Sequence, residues 1–190
     1  FMFAQLDTKS VYSFMDSVVD LTTYIKRAKE LGYQALGLMD RDNLYAAYHF
    51  AQFASSKGLR PLIGMEANLF YEGRKIPFRL LAKNNQGYKN LMKLATELSS
   101  GQREFTAFSD YLNAIALILP SEDWEPGMTL GSEVFIGIRP EDAGKEFDYP
   151  VIPLHTVRYF ENVDRSTIQM LHAISQNVSL SEASICPMNQ

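Results

Sequence analysis

The chain has 190 residues, of which 46% are hydrophobic and 21% charged, and a formal net charge of −4. This is the composition of an ordinary globular chain, long enough for one domain with a substantial core, and it excludes an overall basic footprint for nucleic acid while leaving a local patch open. The single cysteine, Cys186, excludes an intrachain disulfide. No apolar run nears the roughly 18 residues that span a membrane, and no leader pattern is read at the start, so the expected setting is cytoplasmic, with no membrane partner.

The first phrase, "FAQLDTKSVYSFMDS" from Phe3 to Ser17, is a short apolar run that meets Asp7 and reaches a second carboxylate at Asp16. Asp20 then caps a helix whose face carries Leu21, Tyr24, Ile25, Ala28 and Leu31, and Gly32 ends it. "YQALGLM" is apolar nearly throughout and reads as a fully buried strand ending at Asp40. Asp42 is expected to cap a second helix bearing Leu44, Ala47, Tyr48 and Ala51, closed by Gly58, before the buried strand "RPLIGME". The helix–Gly–strand unit repeats 26 residues apart, from Gly32 to Gly58, which argues for βαβ crossovers and a parallel sheet or barrel.

"ANLFYEGRKIPFRLLAK" reads as two strands around a turn at Glu72 to Lys75. A helix follows from about Gln86 to Leu98, with Tyr88, Leu91, Met92, Ala95 and Leu98 on its apolar face. "NAIALIL", "EVFIGI" and "YPVIPL" are further strands, Pro120 to Gly131 is loop, and Val163 to Ile174 is helix. Residues 181–190 carry little periodicity and read as a tail or linker; no composition shift divides the rest, so residues 1–190 are expected to form a single domain.

In parallel α/β folds, ligands bind at the carboxyl ends of strands, and three successive strands here end in a carboxylate: Asp7, Asp40 and Glu66. Hard divalent cations favour such oxygen ligands. The competing reading is an ion-pair cluster, with Lys9 and Arg41 as partners, Asp42 as a helix cap and Asp16 holding a turn. The three histidines, His49, His155 and His172, have no metal-ligand spacing, which excludes a Cys/His zinc site. His49 and His172 are expected to pack on helices; His155 follows a strand end and stays open.

The phrases "SVYSFMDS", "RAKELGYQALGLMDRDNLYAAYHFAQFASSKGLRPLIGME", "RLLAKNNQGYKNLMKLAT" and "YPVIPLHTVRYF", in that order, resemble the polymerase and histidinol phosphatase (PHP) domain. More specifically, they resemble the form at the amino terminus of bacterial DNA polymerase III alpha subunits. The resemblance implies an α/β fold, a distorted (β/α)7 TIM-like barrel with late helices shortened between residues 120 and 150, and metal ions at the strand ends. It also implies that the histidines of that site are replaced. The opening H-x-H-x-H corresponds to Gln5, Asp7 and Lys9, and Asp16 keeps its acid. Asp40 keeps its acid while Arg41 replaces a histidine, and Glu66 is retained. Pro77 stands where a histidine is expected, and the late D-x-H becomes Thr156 and Arg158.

The retained carboxylates repel one another without cations, and Lys9, Arg41 and Arg158 are placed to offset that charge. The expectation is therefore a vestigial site with no catalytic residue, no metal and no cofactor. The fragment would then serve DNA replication structurally, contacting the rest of the polymerase alpha subunit in cis, with replisome proteins as possible partners and DNA reached through the parent chain. Two alternatives stay open. One is an active phosphoesterase or 3′→5′ exonuclease using Zn, Mn or Fe on an oxygen-only site of Asp7, Asp16, Asp40 and Glu66. The other is a stand-alone barrel acting as a binding module.

Overall fold

The computed structural model describes residues 4–13, 16–131, 133–158 and 162–176, the side chains of 162–165 excepted. Phe3 of the opening phrase, the 181–190 tail and Cys186 lie outside the described residues. In chain order the elements are β1 (Ala4–Gln5), β2 (Asp7–Thr8), α1 (Leu21–Glu30), β3 (Ala35–Arg41), α2 (Ala47–Ser56), β4 (Arg60–Tyr71) and β5 (Arg74–Ala82). They continue as α3 (Asn85–Ser99), β6 (Ile115–Pro120), β7 (Val134–Ile138), β8 (Val151–Pro153), β9 (Thr156–Val157) and α4 (Asn162–Gln176). β1 pairs with β3 and β2 with β9, while β4 to β8 pair in the order β4-β5-β6-β7-β8. None of the described helices is long and apolar enough to cross a membrane.

The chain divides into two compact units. The first comprises Phe1–Asp40, Tyr45–Pro61 and His155–Gln190. Here β1 runs parallel to β3, with Ala4 opposite Ala35, and β2 runs parallel to β9, with Asp7 opposite Thr156. Asp20 caps α1 as its position demands, accepting at Oδ2 from Thr23 N at 2.8 Å, and these hydrogen bonds hold its carboxyl below the usual range. Gly32 follows at φ +80°, a left-handed turn that needs glycine. Tyr24, Ile25 and Ala28 of α1 are buried with Phe50 and Ala54 of α2, and the Tyr24 and Phe50 rings stack 6.2 Å apart. Leu31, expected on the apolar face, is exposed because it is the carboxyl cap.

The second unit comprises Arg41–Leu44 and Leu62–Leu154. Its core gathers Met65, Leu69, Phe78, Leu80, Leu91, Leu94 and Ile136 from β4, β5, α3 and β7. The sheet here is mixed, where the repeat pattern argues for a parallel one. Strands β4, β5 and β6 are antiparallel neighbours, and β6, β7 and β8 are parallel. The reason is local: Glu72 and Gly73 both take left-handed φ, +51° and +78°, and form a two-residue loop that can join only antiparallel strands. Among the described residues the β6–β7 and β7–β8 connections hold just the short 3-10 turns Ser121–Asp123 and Pro140–Asp142, in line with shortened late helices.

Further expectations are corrected. Asp42 does not cap α2, which begins at Ala47 after Ala46 with no side-chain cap. Asp42 sits at φ +55°, donates its N–H to Glu66 O at 2.8 Å, and pairs through Oδ2 with Arg103 NH1 at 2.8 Å. Leu44 consequently falls outside the helix and packs on the second unit's core, while Tyr48 and His49 are exposed on α2. Glu66 is not at a strand end, because β4 runs on to Tyr71. On α3, Leu94 is buried and Met92 is exposed.

Gly37 of β3 fixes the approach of the segment that carries Asp7. A Cβ at position 37 would lie 1.9 Å from the backbone oxygen of Leu6. Gly37→Ala is expected to destabilise the protein by about 2–3 kcal/mol or more through this clash. Urea denaturation checks it: a midpoint within error of the parent's would show that the approach can relax.

Candidate functional site

In the first unit the polar residues that the strand-end pattern singles out are buried and mutually bonded. Asp7 and Lys9 lie two apart along an extended segment, which puts both side chains on one face. Lys9 is 0% exposed, with Nζ 2.6 Å from Asp7 Oδ1 and 2.7 Å from Met39 O. Thr156 Oγ1 donates to the other oxygen, Asp7 Oδ2, at 2.6 Å. The pairing of β2 with β9 sets this contact, since Asp7 and Thr156 are register partners. A buried carboxylate and ammonium each cost several kcal/mol to desolvate, so each must find its partner inside.

Asp40, near the end of β3, receives a different set of donors. Ser10 N and Ser10 Oγ reach it at 2.6 Å each, and Ser13 Oγ at 2.7 Å. Asp16 is shared: Arg158 Nε lies 3.1 Å and His172 Nε2 3.2 Å from the same Oδ1. His172 is therefore more than a packing residue of α4. Its Nδ1 is buried and has no hydrogen-bond partner among the described residues, and its Nε2 faces a carboxylate oxygen of Asp16, an acceptor. Gln5 Nε2 donates to His155 O at 2.6 Å, so residue 155 enters the cluster through its backbone. Thr8 Oγ1 donates to Tyr24 OH at 2.9 Å, which donates to Gly37 O at 3.2 Å; burial pushes the Tyr24 phenol well above its usual range.

In the second unit Glu66 sits between two guanidinium groups. Arg41 Nε is 2.9 Å from Oε1, and Arg79 NH2 is 3.4 Å from Oε2. Arg79 is the register partner of Glu66 across β4 and β5, and it is nearly buried. Pro77 pairs with Asn68 on the same ladder, and its carbonyl accepts from Arg79 NH1 at 2.7 Å.

Asp7, Lys9 and Thr156 thus form one bonded set, which Gln5 joins through backbone carbonyls; Asp16, Arg158 and His172 form another, and Asp40 is held by Ser10 and Ser13, all in the first unit. Arg41, Glu66 and Pro77 belong to the other unit. Sequence reasoning missed Ser10, Ser13, Arg79 and His172. Only Arg79 left a signal, standing as far after the Glu72-Gly73 turn as Glu66 stands before it. Among the described residues no three His, Cys, Asp or Glu side chains are grouped so that they could hold a metal ion.

The family model for the PHP domain matches residues 5–126. Over 100% of its length the chain is 44% identical to the DNA polymerase III subunit alpha of Streptococcus pyogenes serotype M1, and it spans 18% of that protein. It is 32% identical to the same subunit of Bacillus subtilis (strain 168) over 63% of this chain and 11% of that protein. The chain therefore spans less than a fifth of the length of these relatives. Among solved structures it is similar to an amidohydrolase from Chromobacterium violaceum, with 21% identity, a TM-score of 0.44, and coverage of 52% of this chain and 34% of that one.

The Lys9–Asp7 pair has a measurable consequence. Lys9→Met strands a buried carboxylate and is expected to cost about 3–5 kcal/mol, whereas Lys9→Met with Asp7→Asn removes both charges and recovers most of that loss. Chemical denaturation of the two variants decides it. A single variant costing less than about 1 kcal/mol would mean that the pair is solvated.

Proposed function

Because the chain belongs to the PHP-domain family, we propose that it serves as the amino-terminal PHP domain of a DNA polymerase III alpha subunit and that its ancestral metal site has become a hydrogen-bonded ion-pair network. The observation that carries this reading is Lys9: a fully buried ammonium bonded to Asp7 Oδ1 and Met39 O. Hydrolysis in a metal-dependent phosphoesterase relies on a cation with an open coordination position, which lowers the pKa of bound water and offsets charge on the phosphoryl oxygens. An ammonium neutralises carboxylates but provides no such position.

The donor set fits a cation poorly. Asp7 spends both oxygens on Lys9 and Thr156, Asp40 is engaged by Ser10 and Ser13, and Asp16 is engaged by Arg158 and His172. Glu66 is held by Arg41 and Arg79. No step of phosphoester hydrolysis is assigned to these residues. The domain's role is then structural, with the rest of the polymerase chain as its partner in cis and replisome proteins as further contacts. DNA synthesis belongs to parts of that longer chain, consistent with a net charge of −4 here.

The test uses the full-length protein that carries this chain, assayed for Mn²⁺- or Zn²⁺-dependent removal of 3′ nucleotides from DNA. The expected result is no metal-dependent activity that Asp7→Asn changes. Metal-dependent hydrolysis that disappears in Asp7→Asn would overturn the proposal and favour an active phosphoesterase.

A further inference from the structure

The first unit turns a group of large side chains outward. Val11 and Tyr12 are 56% and 52% exposed, and Tyr45 and Tyr48 are 76% and 63% exposed. The Tyr12 and Tyr45 rings meet edge to face at 6.5 Å, and Tyr48 meets His49 in the same manner at 5.7 Å. The segments that present them are tied down. Tyr12 lies in the turn between Ser10 and Ser13, both of which donate to Asp40, and its own N–H donates to Ser10 Oγ at 3.2 Å. Tyr45 leads into α2 and Tyr48 stands on it, and that helix is anchored on its inner side by Ala47, Phe50 and Ala54.

The chemistry of this face differs from that of an ordinary solvated helix. From Tyr45 to Ser56 the sequence holds no Asp, Glu, Lys or Arg, and α2 exposes Tyr48, His49, Gln52, Ser55 and Ser56. A helix facing water usually charges its outer face, as α1 of the same unit does with Lys26, Arg27, Lys29 and Glu30. Exposed tyrosines on an uncharged face match the centre of a protein interface, where aromatic residues are enriched and Lys, Glu and Asp are depleted.

We propose that the face formed by Tyr12, Tyr45, Tyr48 and His49 docks an uncharged, apolar surface of the same polypeptide outside residues 1–190. The proposal rests on the reading of the chain as part of a polymerase alpha subunit. It spans 18% of the Streptococcus pyogenes subunit, so most of such a polypeptide lies outside it and is available to cover this face in cis. Covalent linkage supplies a high effective concentration, so a cis contact needs no charge to steer the encounter. Nucleic acid is the poorer occupant, because these residues bring no Lys or Arg to neutralise phosphates.

The test places a photoreactive benzophenone amino acid at position 45 or 48 of the full-length protein, both exposed positions that tolerate replacement. Irradiation of dilute protein is expected to give crosslinks that mass spectrometry maps to the same polypeptide outside residues 1–190. Tyr45→Lys should abolish the crosslink from position 48, because it sets a charge into the face. Crosslinks confined to residues 1–190, to a second copy or to added single-stranded DNA would overturn the proposal. So would a crosslink from position 48 that persists at the parent's yield in Tyr45→Lys. DNA synthesis by the unmodified protein separates this from the reading beneath it. Synthesis without the expected crosslinks overturns the docking face alone, whereas a full-length protein that makes no DNA overturns the polymerase reading.

Discussion

A lysine ammonium with no access to water is the constraint on which the first unit is built. Lys9 is 0% exposed and Asp7 beside it is 0% exposed. Neither charge can be hydrated, so their contact at 2.6 Å and the Met39 carbonyl at 2.7 Å fix where β2 sits against β3. Such a pair adds little net stability, because the cost of desolvation roughly cancels the attraction. What it contributes is a single permitted arrangement, since any slip of the segment leaves a charge buried alone. Gly37 reinforces this by admitting the Leu6 backbone where any side chain would block it.

The four carboxylates are satisfied by two kinds of chemistry. Asp7, Asp16 and Glu66 each face a cationic side chain, while Asp40 accepts a backbone N–H and two serine hydroxyls. Hydrogen bonds to an ionised acceptor are about twice as strong as neutral ones, so three of them stabilise a buried carboxylate without a formal countercharge. The serines come from the turn just after β2, and their hold on Asp40 links that turn to the end of β3. All four carboxylates thus accept from groups that the chain itself carries.

Much of this was legible in the sequence where local chemistry decides the outcome. Asp20 and Gly32 bound α1 as cap and terminator rules require, and Glu72-Gly73 marks a hairpin. Lys9, Arg41 and Arg158 were readable as cations standing among the acidic residues where family ligands are expected, but which carboxylate each one meets was not. What was not legible depends on register or on the tertiary surroundings. Asp42 has the look of a helix cap, but a bond to Arg103, sixty-one residues later, takes its carboxylate. Arg79 meets Glu66 only through the β4–β5 register, and His172 meets Asp16 across 156 residues of sequence. No spacing rule reaches that far.

The central claim is that cationic side chains, not metal ions, neutralise the acidic cluster around Asp7. Titrating Mn²⁺ and Zn²⁺ calorimetrically into the full-length protein and its Asp7→Asn variant tests that claim most directly. The account predicts the same binding heats for both proteins, because Asp7 is already occupied by Lys9 and Thr156. A saturable metal site present in the parent and lost in Asp7→Asn would contradict it.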